Sequence, residues 1–450
     1  MISGHIFEFY ILLTISIAMV AISFVQLIKS RFLHPRDLAI LSTFYYAVPL
    51  SVAGFFIYNP RQVVFLHAQA ANPAYAFLSL KYAVAAMLAL YVGSWGGKLL
   101  GEPRLGTYFK LDEGGLPRVW IALAVFVAII GLGVMQFGLT DFMAGYATEA
   151  NQEEATALGL ALVYFATGSL GLVVVYAVLL NRFLHRRQLW MLIGAAFAVA
   201  ILVLLIRGKR LEIVTTFLPL AIVLLAARRR MKIVAWRAVV GGLGLMGLVA
   251  IAMTRLDDTG VGRFDLFQFN FYVLSEGLYA GHALPGIIHR LETGMIGYEY
   301  GIRFVNGLLG FIPRFVWPLK DDFVYAGNLA LEGVAPLGAS TFLSEVVLQG
   351  GMIAVLLVHL TLGFVFERVN RFQAVWDMAI ASGRIPGRFI AYIVLTAIFI
   401  PHFRDGIVPA VKLSLQAGAV FLVLVRLHLT PVHLLLPSVR SRQQPSTARG

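Results

Sequence analysis

The stretch IFEFYILLTISIAMVAISFVQLI, Ile6 to Ile28, decides the fold: it holds a single charged residue, Glu8, among 23 positions. As a helix rising about 1.5 Å per residue it covers the roughly 30 Å of hydrocarbon in a bilayer. It is too long for the apolar core of a secretion signal and has no basic segment before it, so a retained membrane helix is expected rather than a cleaved leader. Working outward, ten further apolar runs follow at 38 to 58, 75 to 95, 119 to 139, 157 to 181, 189 to 206, 211 to 227, 238 to 254, 341 to 366, 389 to 402 and 407 to 425. The expected fold is an all-α polytopic integral membrane protein with about eleven transmembrane helices. Composition agrees. Of 450 residues 59% are hydrophobic and 13% charged, and the mean hydropathy is +0.82. A soluble chain carries about a quarter charged residues, so no large soluble catalytic domain is hidden here.

The net charge of +13 would suggest nucleic acid in a soluble protein. Beside apolar spans it reads as basic loops, and no nucleic-acid partner is expected. Segments 29–37, 96–118, 182–188, 228–237, 367–388 and 426–450 hold 23 Lys and Arg, whereas the alternate loops hold 11. Basic residues collect on the cytoplasmic side, which predicts a periplasmic amino terminus and a cytoplasmic carboxyl terminus. The chain then divides into helices one to eight over 1–254, a long periplasmic loop over 255–340, helices nine to eleven over 341–427, and a cytoplasmic tail over 428–450. The end of that tail, Ser441 to Gly450, is polar and expected to be disordered. The long loop is rich in aromatics (Phe267 to Tyr272, Tyr298 to Phe304, Phe311 to Trp317), which predicts a folded cap with short helices on the outer surface. With no cysteine, disulfides, thiolate metal sites and cysteine nucleophiles are excluded.

Three stretches carry candidate chemistry, all on the expected periplasmic side. Arg207-Gly208-Lys209-Arg210 forms a hairpin tip between spans six and seven, where cations are disfavoured. Arg207 and Arg210 share a face if the helix continues, and guanidinium forks suit a diphosphate; snorkelling to headgroups is the plainer account. His402-Phe403-Arg404-Asp405-Gly406 lies between the last two spans. There His402 and Asp405 are acid/base candidates and Arg404 a phosphate ligand, although histidines at helix ends are commonly interfacial. Phe311-Ile312-Pro313-Arg314-Phe315-Val316-Trp317-Pro318-Leu319-Lys320-Asp321-Asp322 interleaves cations with rings. Phe315 and Trp317 could meet sugar faces while Arg314 and Lys320 reach phosphate, or the segment is an aromatic belt with basic anchors.

Ionisable residues inside spans are costly and usually functional. Glu8, Lys81, Glu345 and Lys412 each lie near the external end of a span, which points to one site in the outer leaflet. Glu345 serves either as a base or as an ion-pair partner of Lys412 or an arginine. Other signals are discounted. Gly242-Leu243-Gly244-Leu245-Met246-Gly247 matches a dinucleotide fingerprint but sits inside a span, where it means helix packing. The doublets Asp257-Asp258 and Asp321-Asp322 read as solvated, so no metal is expected. Glu149, Glu153 and Glu154 read as a solvated face, and His359 as packing.

Taken together, the Arg207 to Arg210 tip, the Ile312-Pro313-Arg314 to Lys320 segment, the Ser344-Glu345 stretch with Gly350-Gly351, and Arg404-Asp405-Gly406 resemble bacterial O-antigen and exopolysaccharide polymerases of the Wzy type. These polymerases are related in architecture to the O-antigen ligases. Where such polymerases often read Trp-Pro-Asp-Lys, this chain has Leu319. The resemblance implies a metal-independent, inverting glycosyltransferase with a GT-C-like fold and no cofactor. Its donor and acceptor would be glycans on undecaprenyl diphosphate at the periplasmic face of the inner membrane. Membrane lipids and a chain-length regulator would be further partners. Arg207, Lys209, Arg210, Arg314, Lys320 and Arg404 would then face the diphosphate, and Phe315 and Trp317 the glycan. Glu345, His402 and Asp405 remain alternatives for the catalytic base. A ligase of the same architecture and a lipid-linked sugar flippase are the competing readings.

Overall fold

The computed structural model describes residues 2–56, 72–101, 105–110, 281–312, 316–324, 340–428 and 431–435, with a few isolated positions between them. The expected spans between 119 and 254 therefore lie almost wholly outside the described residues, as does the tail from Ser441. What is described is mostly helical. Among the described residues five helices are long and apolar enough to cross a membrane: His5–Lys29, Pro35–Phe56, Pro73–Leu99, Phe342–Ala381 and Gly387–Arg404.

Local signals set their ends. Helix α1 (Ile2–Lys29) stops at a turn in which the Ser30 amide donates to Gln26 O at 2.9 Å. Helix α2 (Pro35–Phe56) opens on a proline with Asp37 in its first turn, a favourable start for the helix dipole. Helix α3 (Pro73–Leu99) is capped by Asn72, whose side chain accepts from the Ala74 amide at 2.9 Å. Beyond it come strand β1 (Leu105–Lys110) and the short helices α4 (Ala283–Glu292), α5 (Ile302–Leu309) and α6 (Lys320–Val324). Helix α7 (Phe342–Asn370) starts in a capping box: the Thr341 hydroxyl accepts from the Ser344 amide and the Ser344 hydroxyl accepts from the Thr341 amide. The chain continues through α8 (Gln373–Ala381), strand β2 (Arg384–Pro386), α9 (Gly387–Val394), a π-helical turn (Leu395–Phe399), a 3-10 turn (Pro401–Arg404), α10 (Ile407–His428) and strand β3 (Pro431–Leu435).

Two features depart from the expected bundle of continuous helices. First, α7 runs past the expected end at 366 and is broken at Gly350 and Gly351. The φ of +59° at Gly351 is a left-handed conformation that a side chain would strain. Before the break, Phe342 to Gln349 are buried on every side; after it, Ile353 is 72% and Leu357 61% exposed. The helix thus has a protein-enclosed part and an outward-facing part. Second, three segments expected to be loops form an antiparallel sheet in the order β2-β1-β3, with Phe109 opposite Ile385 and Thr107 opposite His433. Each strand is too short to announce itself, and its partners are remote in sequence.

The α3 and α7 pair forms the centre of the described fold. A Cβ on Gly93 would lie 2.0 Å from Leu360 O, and one on Gly363 2.2 Å from Leu90 O, so the two backbones meet without intervening side chains. Near the sheet end of this pair a polar clasp joins four segments. Arg36 donates to Asp37 Oδ1 at 2.7 and 2.9 Å, to Ser94 Oγ at 3.2 Å, and to Gln26. Ser94 donates to Glu367 Oε2 at 2.9 Å, and His34 Nε2 lies 3.1 Å from the same oxygen. Removing one partner from a buried pair of this kind costs about 3–5 kcal/mol, so this end is held firmly.

Candidate functional site

Irregular backbone gathers at the opposite end of the bundle. The π turn at Leu395–Phe399, Pro401, the 3-10 turn and Gly406 (φ +91°) lie in succession between α9 and α10. Such breaks free backbone groups at membrane depth and occur where protein encloses them. The enclosing element is the first part of α7. Phe342 stacks on Phe403 with ring centroids 4.4 Å apart, and Phe399 closes on both rings edge-on.

Glu345, 3% exposed, sits at the centre. Its Oε2 accepts from the Ile407 amide at 2.7 Å, at the first residue of α10, and its Oε1 accepts from the Ser340 hydroxyl. Arg303 Nη1 lies 3.2 Å from Oε1. Both oxygens are therefore engaged, by one cation and two neutral donors. The same guanidinium holds Glu299, Nε donating to Oε2 at 2.7 Å and Nη2 to Oε1 at 3.1 Å. One cation thus serves two carboxyl groups.

Glu299 reaches this position because the chain before α5 plugs the break in α7. The amides of Glu299 and Tyr300 donate to Leu348 O and Gln349 O at 3.0 and 3.1 Å, satisfying carbonyls that the broken helix leaves open. The Gln349 side chain accepts from the Gly301 amide and donates to Glu299 Oε2, each at 2.9 Å.

One turn away, His402 Nδ1 lies 2.9 Å from Asp405 Oδ2. His402 is 5% exposed, whereas the Asp405 side chain is about one-third exposed. In a neutral imidazole with the carboxylate accepting, Nδ1 carries the proton and Nε2 keeps its lone pair, the tautomer a general base needs. Gly406 links this pair to Glu345, since a Cβ on it would fall 2.2 Å from Oε1. The structure therefore brings the three acid/base candidates onto adjoining turns, together with Arg404, which is partly buried in the same turn.

Other candidates fall elsewhere. Arg207, Lys209, Arg210, Arg314 and Phe315 lie outside the described residues. Lys320 is buried, with Nζ donating to Ile312 O at 2.7 Å and Gly310 O at 3.4 Å, so its ammonium faces the main chain at the end of α5. Trp317 packs against Phe323 with ring centroids 5.7 Å apart. Glu8 lies beside His5 and Lys81 over the Phe77 ring, both exposed, rather than with Glu345. Among the described residues no group of three or more His, Cys, Asp or Glu could hold a metal.

Arg303, Glu299, Gln349 and Ser340 were not anticipated. Glu299 and Arg303 stand at the i,i+4 spacing of a helical ion pair, and Arg303 is the one cation within an otherwise apolar or neutral α5; these are the signals that point to them. No family model, curated protein or solved structure matches the chain.

Proposed function

We propose that this chain is a GT-C-like membrane glycosyltransferase that joins undecaprenyl-diphosphate-linked repeat units into polysaccharide at the periplasmic face of the inner membrane. The observation that carries the reading is the His402 Nδ1–Asp405 Oδ2 contact at 2.9 Å, beside buried Glu345 and at the end of the bundle away from the basic segments. In this reading His402 Nε2 takes the proton of an acceptor hydroxyl, and the hydroxyl oxygen attacks the anomeric carbon. The diphosphate leaves from the opposite face, giving inversion, and Asp405 steadies the imidazolium. The departing charge meets Arg404, with Arg207, Lys209, Arg210 and Arg314 as further cations. Glu345 acts as a tie that fixes Arg303 and the start of α10 around the site. Lys320 anchors the segment whose neighbours Phe315 and Trp317 would contact the sugar.

About eleven crossings suit this reading. Helices α3 and α7 run parallel, with Gly93 beside Leu360 and Gly97 beside Glu367, so a membrane chain must cross an odd number of times between them. The five apolar runs from 119 to 254 supply an odd number.

A transport reading draws on the break in α7, because discontinuous helices with buried ionisable groups also build transporter sites. Deleting the gene separates the possibilities. A polymerase predicts surface glycan capped with single repeat units. Finished polymer retained on its lipid carrier would indicate a ligase, and repeat units trapped on the cytoplasmic side a flippase.

A further inference from the structure

Helix α5 buries its polar side chains and turns apolar ones outward. Along α5, Arg303, Asn306 and Gly307 point inward and are buried, whereas Ile302, Val305 and Leu308 point outward at 41%, 47% and 55% exposure. Helix α6 does not repeat the pattern: Lys320 is 5% and Val324 2% exposed, while Asp322 and Phe323 are both exposed. A cap resting in water would place the α5 groups the other way round.

Hydrocarbon accounts for both halves of the pattern. Polar groups there must be satisfied internally, and these are, apart from Asn306 Oδ1, which has no hydrogen-bond partner. Arg303 holds Glu299 and Glu345, Asn306 Nδ2 donates to Val324 O at 3.1 Å, and Lys320 closes the carbonyl end of α5. Depth gives a separate argument. A Cβ on Gly307 would lie 2.8 Å from Val411 Cβ, and one on Gly310 3.3 Å from Lys412 Cδ. Those α10 residues stand about 6 Å along its axis from Ile407. Tyr298, just before α5, lies against the break in α7, its hydroxyl 3.0 Å from where a Gly351 Cβ would be. Helix α5 is thus level with the interior turns of two apolar helices rather than above them.

We propose that α5 is immersed in the leaflet farther from the sheet, with Ile302, Val305 and Leu308 in contact with lipid acyl chains. The wall of the Glu345 cluster on that side is then a membrane-embedded, non-spanning segment, in place of the expected surface cap. The proposal goes beyond glycan transfer and holds for a transporter equally.

The absence of cysteine makes the test direct, since Ile302→Cys, Val305→Cys and Leu308→Cys each create a single labelling site. The full chain carrying one bimane label is reconstituted in phosphatidylcholine–phosphatidylglycerol vesicles. Quenching by lipid with a nitroxide high on its acyl chain is compared with quenching by iodide present on both sides. Ser382→Cys, exposed between α8 and β2, is the water-facing control. Each variant is read in the fraction that elutes like the unsubstituted chain, so a misfolded variant leaves the other sites to decide. The expected result is loss of most emission to lipid nitroxide and little to iodide at the three test sites, with the reverse at Ser382→Cys. Strong iodide quenching at the test sites would overturn the proposal in favour of water, and protection from both quenchers would overturn it in favour of a covering protein segment.

Discussion

Glu345 accepts hydrogen bonds on both oxygens while buried, and that occupancy separates it from His402. A carboxyl group shared by an arginine, a hydroxyl and a helix-start amide has both oxygens occupied and little room for a substrate proton. His402, held on one nitrogen alone by Asp405, has a lone pair to offer. Stability measurements should reflect the difference. Arg303→Ala leaves Glu299 and Glu345 without their shared cation and should cost about 3–5 kcal/mol. Glu345→Gln leaves Arg303 its partner Glu299 and should cost less, about 1–3 kcal/mol. Thermal unfolding in detergent checks the order, and equal losses would mean that Arg303 gains nothing from Glu299. At this scale the sequence pointed to Glu345, His402 and Asp405 because charge near a span end is conspicuous. Arg303 escaped because it lies in a loop that seemed free to place cations in water; only the fold reveals that its guanidinium is enclosed.

Glycines do at the element scale what the polar groups do at the residue scale: they fix where backbones meet. Gly406→Ala would drive a Cβ into the Glu345 carboxylate and impose a left-handed conformation on alanine; the backbone strain alone costs about 1–3 kcal/mol. Gly363→Val should pry α7 from α3, since even one carbon there lies 2.2 Å from a carbonyl oxygen. Both variants should lower the yield of folded protein in size-exclusion chromatography, as should Gly351→Ala, where the φ of +59° strains alanine although the one tight contact is a tyrosine hydroxyl at 3.0 Å. A normal yield of the Gly363 variant would show that the helices can separate without loss. The long helices were legible in the sequence because apolar runs of span length have few other uses. The break in α7 was not, although Gly350-Gly351 stood out: paired glycines in a span also serve close packing, and only their dihedral angles distinguish the two. The sheet was illegible for another reason, since β1 depends on strands that arrive almost 280 and more than 300 residues later.

For the molecule as a whole, the sheet and the clasp gather segments that the basic count assigns to one side. Strands β1, β2 and β3 come from 96–118, 367–388 and 426–450, each basic, and their hydrogen bonding requires a common side. This agreement within the molecule supports the reading that the carboxyl terminus is cytoplasmic. A phosphatase reporter fused after Gly450 should then be inactive and a cytoplasmic fluorescent reporter bright; the opposite pair would reverse the orientation and move the His402 end to the cytoplasmic face. Reversal would remove a periplasmic polymerase from consideration while leaving the Glu345 cluster intact, which is why orientation and chemistry need separate tests.

The chemistry is tested most directly by reconstituting the full chain in vesicles with undecaprenyl-diphosphate-linked repeat units and resolving product length on a gel, for the unsubstituted chain, His402→Gln and Asp405→Asn. The account predicts a ladder of polymer from the unsubstituted chain. It predicts a loss of about 10²–10⁴-fold for folded His402→Gln, and a smaller loss for Asp405→Asn, which keeps the histidine but weakens its orientation. A full ladder from folded His402→Gln would contradict the central claim, because no base at that turn would then be required.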